Sequence, residues 1–304
     1  MQKKLCVVMA IQPFIESHPS ESENTLKTRF NEQGYLFIKG GVDTLHCQQV
    51  LADFLDQLSP HAEWDNARKL PTLKGEPFFE TDPLFDALYP DIQTLESFHR
   101  FFHDEAVQRL MRITAGDNPF VYPMKMARIS TPKKLGYETP PHQDAHSHQA
   151  PETMCGIWIA LHEVKDEMGR LMVLPKSHLR GVRPVHQAQG VGGVQCEIYD
   201  DETTWHTGNV EQGDVIIFHA CCVHKAEPNT SDDIVRLSVD TRFCPYGEPL
   251  FSSNLYPHHS LRIPKLDWDY IYKNWQSADN QFYWKNYPNL HGPSDEQWRA
   301  LAKS

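Results

Sequence analysis

The chain has 304 residues, 40% of them apolar and seven of them Trp, which is enough for a sizeable core. Asp and Glu number 40 against 29 Lys and Arg, a formal net charge of -11 that repels polyphosphates and argues against general nucleic-acid binding. No apolar run reaches the length of a membrane span, and no small-residue cleavage site follows the start "MQKKLCVVMAI", so a cytoplasmic protein without a membrane partner is expected.

Residues 24–33 read as a short helix stopped by Gly34, and "YLFIKG" follows as a strand. Asp43 or Thr44 caps a second helix, with Leu45, Val50, Leu51, Phe54, Leu55 and Leu58 at helical spacing. Residues 61–90 are Pro-rich and read as irregular. Helical stretches are expected from Ile92 to Phe102 and from about Glu105 to Thr114, with Asp104 as a cap and Gly116 as a stop. From about residue 120, strand-like runs alternate with turn signals: "YPMKMARIS", "CGIWIALHEV", "GRLMVLP", "DVIIFHACCVH" and "IVRLSVDTRF". Helices first and short strands afterwards predict a barrel or jelly roll with helical buttresses. The tail, with "WDYIYKNW" and "QFYWKNY", reads as helical or loop-like. One catalytic domain over 1–304 is expected: a mainly helical N-terminal region over 1–118, a jelly-roll core over 119–245 and an aromatic-rich extension over 246–304.

The seven cysteines (Cys6, Cys47, Cys155, Cys196, Cys221, Cys222, Cys244) have no C-x-x-C spacing, so neither a disulfide framework nor a zinc ribbon is indicated. Cys221 and Cys222 would face opposite sides of a strand.

The segment "ETPPHQDAHSH" holds His142, Asp144, His146 and His148. On a strand, His142 and Asp144 would project from one face and could act as two adjacent ligands. His219 and His224 in "GDVIIFHACCVHKAEPN" each offer a third. Two His and one carboxylate leave three positions of an octahedral ion open, which suits non-haem Fe(II). A zinc site from His142 with His146 or His148 is the competing reading, and a zinc-dependent hydrolase the function it would imply. Arg236 lies on the next strand with Ser238 on the same face; a guanidinium there could hold a carboxylate in a bidentate pair.

These motifs together resemble the phytanoyl-CoA dioxygenase family of Fe(II)- and 2-oxoglutarate-dependent oxygenases. "FNEQGYLFIKG", "PPHQDAH", "GIWIALHEVKDEMGRLMVLPKSH", "VEQGDVIIFHACCVHKAEPNTSD" and "VRLSV" carry the resemblance, from about residue 24 to 245. It implies a mainly β double-stranded β-helix (a cupin-like jelly roll) buttressed by N-terminal helices. It implies Fe(II) held by His142, Asp144 and His224, leaving His146, His148 and His219 dispensable for iron. It also implies 2-oxoglutarate gripped by Arg236, helped by Ser238 and by Trp158 as an aromatic wall. O2 would be the second cosubstrate, succinate and CO2 would be released, and a C–H bond of a small-molecule substrate would be hydroxylated, since Asp144 fills the position that halogenases leave to halide. Arg128 and Ser130 stand where relatives often place Lys or Asn beside the cosubstrate, and Lys176 stands where the family usually has Gly. A jelly-roll binding protein without catalysis remains a further alternative, and either a monomer or a homodimer is compatible. Finally, Lys176, His178, Arg180, Arg183 and His186 occur without an acidic residue among them; this reads either as a solvated basic loop or, since the resemblance implies that the segment lies near the open end of the barrel, as an anion site there for a substrate carrying carboxylate or phosphate.

Overall fold

The computed structural model describes residues 9–133 and 135–292; the Cys6 reading lies outside them. Strands β1 (Ala10–Pro13) and β2 (Glu16–Ser17) open the chain. Helix α1 (Glu23–Gln33) starts where the Ser22 side chain accepts from the Thr25 N–H and stops at Gly34, whose φ of 80° suits a residue without Cβ. After β3 (Tyr35–Ile38), α2 (Thr44–Gln57) begins at Asp43, whose carboxylate accepts from the Leu45 N–H.

The stretch expected to be irregular is ordered. Residues Ala62–Asp65 (β4) and Leu70–Leu73 (β5) form a hairpin, and Pro83–Gln93 forms helix α3. The start signal was present: Asp82 accepts from the Leu84 N–H, and Pro83 sits at the first helical position, where its missing N–H costs nothing. The helix expected over Ile92–Phe102 is instead the end of α3 and a separate α4 (Glu96–Phe101). Helix α5 (Glu105–Ala115) matches its expectation.

Strand β6 (Pro119–Ser130) enters the barrel, followed by the single-turn helix α6 (Asp144–Ser147), β7 (Cys155–Ala160) and β8 (Leu171–Val173). A hairpin of β9 (Val185–Gln187) and β10 (Val194–Cys196) precedes β11 (Thr204–Thr207) and β12 (Val215–His219). The run "DVIIFHACCVH" is not one strand. The chain turns at Ala220–Val223 and resumes as β13 (His224–Ala226), so Cys221 and Cys222 lie in the turn, both buried and unbridged. Then come β14 (Arg236–Pro245), β15 (Leu250–Phe251), α7 (Trp268–Tyr272) and β16 (Leu290–His291). Among the described residues no helix is long and apolar enough to cross a membrane.

Two sheets make the jelly roll. The larger has the order β2-β3-β12-β7-β14-β6 and the smaller β1-β11-β8-β13. Strand alternation divides two apolar clusters between the faces of the larger sheet. Leu36, Ile38, Ile157, Ile159, Val215, Ile217, Leu237 and Val239 pack outward against α1–α5. Tyr35, Phe37, Trp158, Ala160, Ile216 and Phe218 point inward, toward Val173 of the smaller sheet. Burial on both faces explains why these strands read as near-continuous apolar runs. The aromatic tail closes over the helices: Trp268, Tyr272, Trp284 and Tyr287 join the outer cluster.

Lys176 has a φ of 65°, and its N–H donates to Gln33 O. That left-handed geometry strains a residue with a Cβ and would suit a glycine, as the resemblance implies for this position. We expect Lys176→Gly to raise unfolding free energy by about 0.5–1 kcal/mol in urea titration, the left-handed cost of roughly 1–2 kcal/mol less the roughly 0.5–1 kcal/mol of glycine's extra backbone entropy; a loss of stability would mean the lysine side chain contributes more than the strain costs.

Candidate active site

His142 does not sit on a regular strand. It forms an isolated bridge with His224, in which His142 N–H donates to His224 O at 3.0 Å and His224 N–H to His142 O at 3.1 Å. This reciprocal pair sets the two imidazoles side by side, with ring centroids 4.1 Å apart. Asp144 opens α6, whose start is tied to the β12–β13 turn by Ala145 N–H donating to Ala220 O at 3.0 Å. The intervening Gln143 is buried; its amide donates to Cys221 O (2.7 Å) and Gly181 O (2.9 Å), stapling the ligand loop to that turn.

The ligand atoms of His142, Asp144 and His224 lie within 4.8 Å of one another. Asp144 Oδ1 is 3.8 Å from His142 Nε2 and 3.9 Å from His224 Nε2. Each imidazole hydrogen-bonds through Nδ1 to a carbonyl, His142 to Pro140 O (2.9 Å) and His224 to Cys222 O (3.0 Å). Nδ1 must therefore carry the proton, and both Nε2 lone pairs are left for a metal. Burial pushes His142 and His224 below the usual imidazole range, His224 to about 3, so both are neutral at physiological pH. Burial alone would raise the Asp144 carboxyl, but Arg242 and then His224 outweigh it and hold the group well below the usual carboxylate range. Two neutral nitrogens and one ionised oxygen fit an Fe(II) ion.

His219 and His224 fall on different sheets. His219 ends β12 and its Nδ1 accepts from the Cys221 N–H (3.0 Å), a turn-forming role. His146 is exposed. His148 is buried, with Nε2 4.0 Å from Asp144 Oδ1 but outside the three-residue cluster. The zinc pairing of His142 with His146 or His148 is therefore not assembled.

Along β14, Arg236, Ser238, Asp240 and Arg242 alternate with Leu237, Val239 and Thr241, so the polar set shares the barrel-facing side. Arg242 Nε lies 2.5 Å from Asp144 Oδ2, and its Nη1 2.6 Å from Asp240 Oδ2. Asp240 also pairs with Arg128 Nε at 2.7 Å, and Arg128 lies 3.5 Å from Glu80. Sequence reasoning missed Arg242 and Asp240, although the period-two charges in "RLSVDTRF" were the available signal.

Arg236 is different. It is buried, donates through Nη1 to Ser238 Oγ at 2.7 Å, leaves Nε without a partner, and has no carboxylate partner among the described residues. Burial, then Arg128, lower its pKa to about 10. A buried guanidinium with an orphaned N–H calls for an anion, which fits the remote carboxylate of 2-oxoglutarate. Ser130 is the cross-strand partner of Arg236, and both border the small cavity at this end of the barrel, as does Arg128. Trp158 lies with Phe14, Tyr35 and Phe37 in the apolar interior and borders neither this cavity nor the larger one.

The larger cavity, about 770 Å³, opens onto His142 and Asp144. Its far wall is Ser253, Tyr256, His258, His259 and Arg262 from the C-terminal extension, another contribution the sequence did not reveal. Glu80, His258 and His259 also form a three-ligand cluster, but Arg128 already neutralises Glu80.

The expected basic mouth is not there. Arg183 is buried, its guanidinium held by Glu202 (Nη1–Oε2 2.6 Å), Glu197 O and Ser177 O. Arg180 pairs with Asp201, His178 with Asn31 O and His186 with Gln195. Neither these four nor Lys176 borders the cavity beside the triad. The acidic partners are Asp201 and Glu202, too far along the chain for local composition to show.

A jelly roll with two histidines and an aspartate at one mouth defines the class of non-haem iron oxygenases. The phytanoyl-CoA dioxygenase family model matches residues 30–237, and the chain belongs to that family; it is a non-haem iron, 2-oxoglutarate-dependent oxygenase. It is 24% identical over 250 residues to 1-deoxypentalenic acid 11-beta-hydroxylase of Streptomyces exfoliatus, covering 77% of this chain and 86% of that protein. It is 31% identical to the mouse (Mus musculus) phytanoyl-CoA dioxygenase domain-containing protein 1 over 143 residues, 44% of this chain and 48% of that one. Among solved structures, the alpha-ketoglutarate-dependent epimerase SnoN, bound to Fe3+, alpha-ketoglutarate and nogalamycin RO, shares the fold. Its TM-score is 0.54 at 20% identity, over 75% of this chain and 85% of that one. The carbocyclase SnoK does likewise, at 0.54 and 21%, over 78% and 89%.

Arg242 orients Asp144 through two contacts. Replacing the fork by Lys keeps charge but loses that geometry. We expect Arg242→Lys to weaken Co(II) binding by about 10–100-fold in spectroscopic titration, the usual effect of losing a group that orients a ligand; unchanged affinity would show that Asp144 is held by its helix alone.

Proposed function

We propose that the protein oxidises an unactivated C–H bond of a small molecule, with hydroxylation as the outcome and succinate and CO2 as by-products. His142, Asp144 and His224 would hold the iron, and Arg236 with Ser238 would hold the far carboxylate of 2-oxoglutarate. The observation that carries this reading is a buried cation without a counter-ion among the described residues, Arg236, on the same barrel face as a compensated ligand triad that opens onto a cavity of molecular size. Bound together, iron and 2-oxoglutarate supply the activation of O2. The chain's own residues bind, orient and exclude water. The Nδ1 hydrogen bonds of His142 and His224 fix ring orientation, Arg242 holds Asp144 ionised, and Arg236 sets the register of the cosubstrate. Arg128, committed to Asp240 and Glu80, would shape the pocket rather than bind the cosubstrate directly, with Ser130 beside it. Trp158 would act as packing behind the pocket.

Three outcomes test the reading. His224→Ala should lose metal binding and 2-oxoglutarate turnover while His219→Ala keeps both; the reverse result would sink the triad. Arg236→Lys should raise the 2-oxoglutarate requirement about tenfold or more, the loss of one charge-assisted hydrogen bond, with a smaller effect on the primary substrate. An extract screen with Fe(II), ascorbate and 2-oxoglutarate should yield a product heavier by one oxygen atom. Succinate formation that is absent under all conditions would remove the oxygenase reading.

A further inference from the structure

Two histidines on the cavity wall, His148 buried and His258 half-buried, have tautomers fixed by the protein, and they are opposite. Asn254 Nδ2 donates to the His148 backbone carbonyl at 2.9 Å, so its Oδ1 is the atom 2.7 Å from His148 Nδ1. Oδ1 can only accept, so His148 Nδ1 carries the proton and Nε2 presents a lone pair. On the other side, Gln93 Nε2 donates to Lys125 O at 3.0 Å and to Tyr89 Oη at 2.8 Å. The Ala127 N–H also approaches Tyr89 Oη, at 3.4 Å. The tyrosine oxygen is thus occupied as an acceptor, and its own proton points to His258 Nδ1, 2.7 Å away. His258 Nδ1 accepts, which leaves Nε2–H as a donor. Both residues border the large cavity. His148 Nε2 is 4.0 Å from the carboxylate of Asp144, at the edge of the metal position.

The charged residues on the cavity wall are already engaged. Glu80 is paired with Arg128 and His259, Arg262 with Asp86, and Arg242 with Asp144 and Asp240. Among the described residues of the wall, no surplus charge awaits an ionic substrate group. We propose that His148 and His258 are a matched acceptor–donor pair that recognises a neutral hydroxyl or carboxamide of the substrate beside the iron. This rests on the oxygenase reading above and names the substrate class for the same cavity. A hydroxyl donates to His148 Nε2 and accepts from His258 Nε2–H; a carboxamide does the same with its two ends. A carboxylate would set an oxygen lone pair against that of His148, and an ammonium would set N–H against N–H. A site built for hydrogen bonding rejects a group that leaves its buried polar atoms unpaired far more strongly than an apolar pocket rejects a misfit.

The test uses the Fe(II) protein under anaerobic conditions with saturating 2-oxoglutarate. Four probes share one ring: cyclohexanemethanol, cyclohexanecarboxamide, cyclohexanecarboxylate and cyclohexylmethylammonium. Paramagnetic relaxation of the probe ring protons by the bound metal is read by NMR. The alcohol and the carboxamide should be relaxed at least tenfold more than the two ions at equal concentration. His258→Phe should reduce relaxation of both neutral probes at least fivefold. His148→Gln, which brings an amide donor, should bring the carboxylate to within about threefold of the alcohol. The inference is overturned if the carboxylate matches the alcohol in the unmodified protein, if no probe is relaxed, or if both variants leave the ranking unchanged. The visible charge-transfer absorption of the Fe(II)–2-oxoglutarate chelate separates the two levels. Its absence overturns the oxygenase reading and this inference with it, whereas its presence without the neutral preference overturns this inference alone.

Discussion

The contact between Asp144 and Arg242 is the constraint around which the barrel interior is arranged. A carboxylate that is to serve a metal must stay ionised, yet Asp144 is 1% exposed. Burying an uncompensated charge costs several kcal/mol, and removing one partner of a buried pair costs about 3–5 kcal/mol. The chain meets this with alternating charges running from Asp144 through Arg242, Asp240 and Arg128 to Glu80. Each charge in the series neighbours one of opposite sign, so the Asp144 carboxylate is kept ionised and oriented by the protein itself.

That arrangement needs a strand buried on both faces. β14 pairs with β6 on one side and β7 on the other, so its backbone groups are satisfied within the sheet. Its outward residues join the helical core, and its inward residues are free to be polar. Phe218 lies beneath the site, 4.2 Å from the His224 ring and 5.7 Å from the Arg242 guanidinium. Gly156 makes room for it, because a Cβ there would fall 2.2 Å from the Phe218 ring. A glycine near the start of a buried strand, weak by propensity, is thus explained by the close packing of Phe218 under the His224 ring.

Arg236 stands apart from this compensated ladder. It lies on the same strand but is partnered only by Ser238 among the described residues. The contrast is between Arg242, held by two carboxylates, and Arg236, which has no carboxylate partner among the described residues. The C-terminal extension adds the third component. It covers the helices with aromatic rings and sends residues 253–262 to the cavity, where the Tyr89 hydroxyl donates to His258 Nδ1 and Asn254 Oδ1 accepts from His148 Nδ1, fixing both imidazoles.

The sequence by itself determined what is local. Strand and helix periods and the caps at Asp43 and Gly34 follow from side-chain alternation and turn chemistry within a few residues, whereas His142 and Asp144 come together from an isolated bridge and the start of α6 rather than from one strand face. Helix α3 escaped because its Pro content outweighed the Asp82–Pro83 start signal. Tertiary structure alone decided what faces what across the barrel. His224 rather than His219 stands beside Asp144 because the chain changes sheets between them. The basic loop proved neutralised because Glu202 and Asp201 return to it from a later segment. Arg242 acquired its role because α6 places Asp144 opposite β14. Periodicity states which side of an element is buried, but the partner on that side comes from a distant stretch of the chain, and charge compensation and tautomer are properties of the pair.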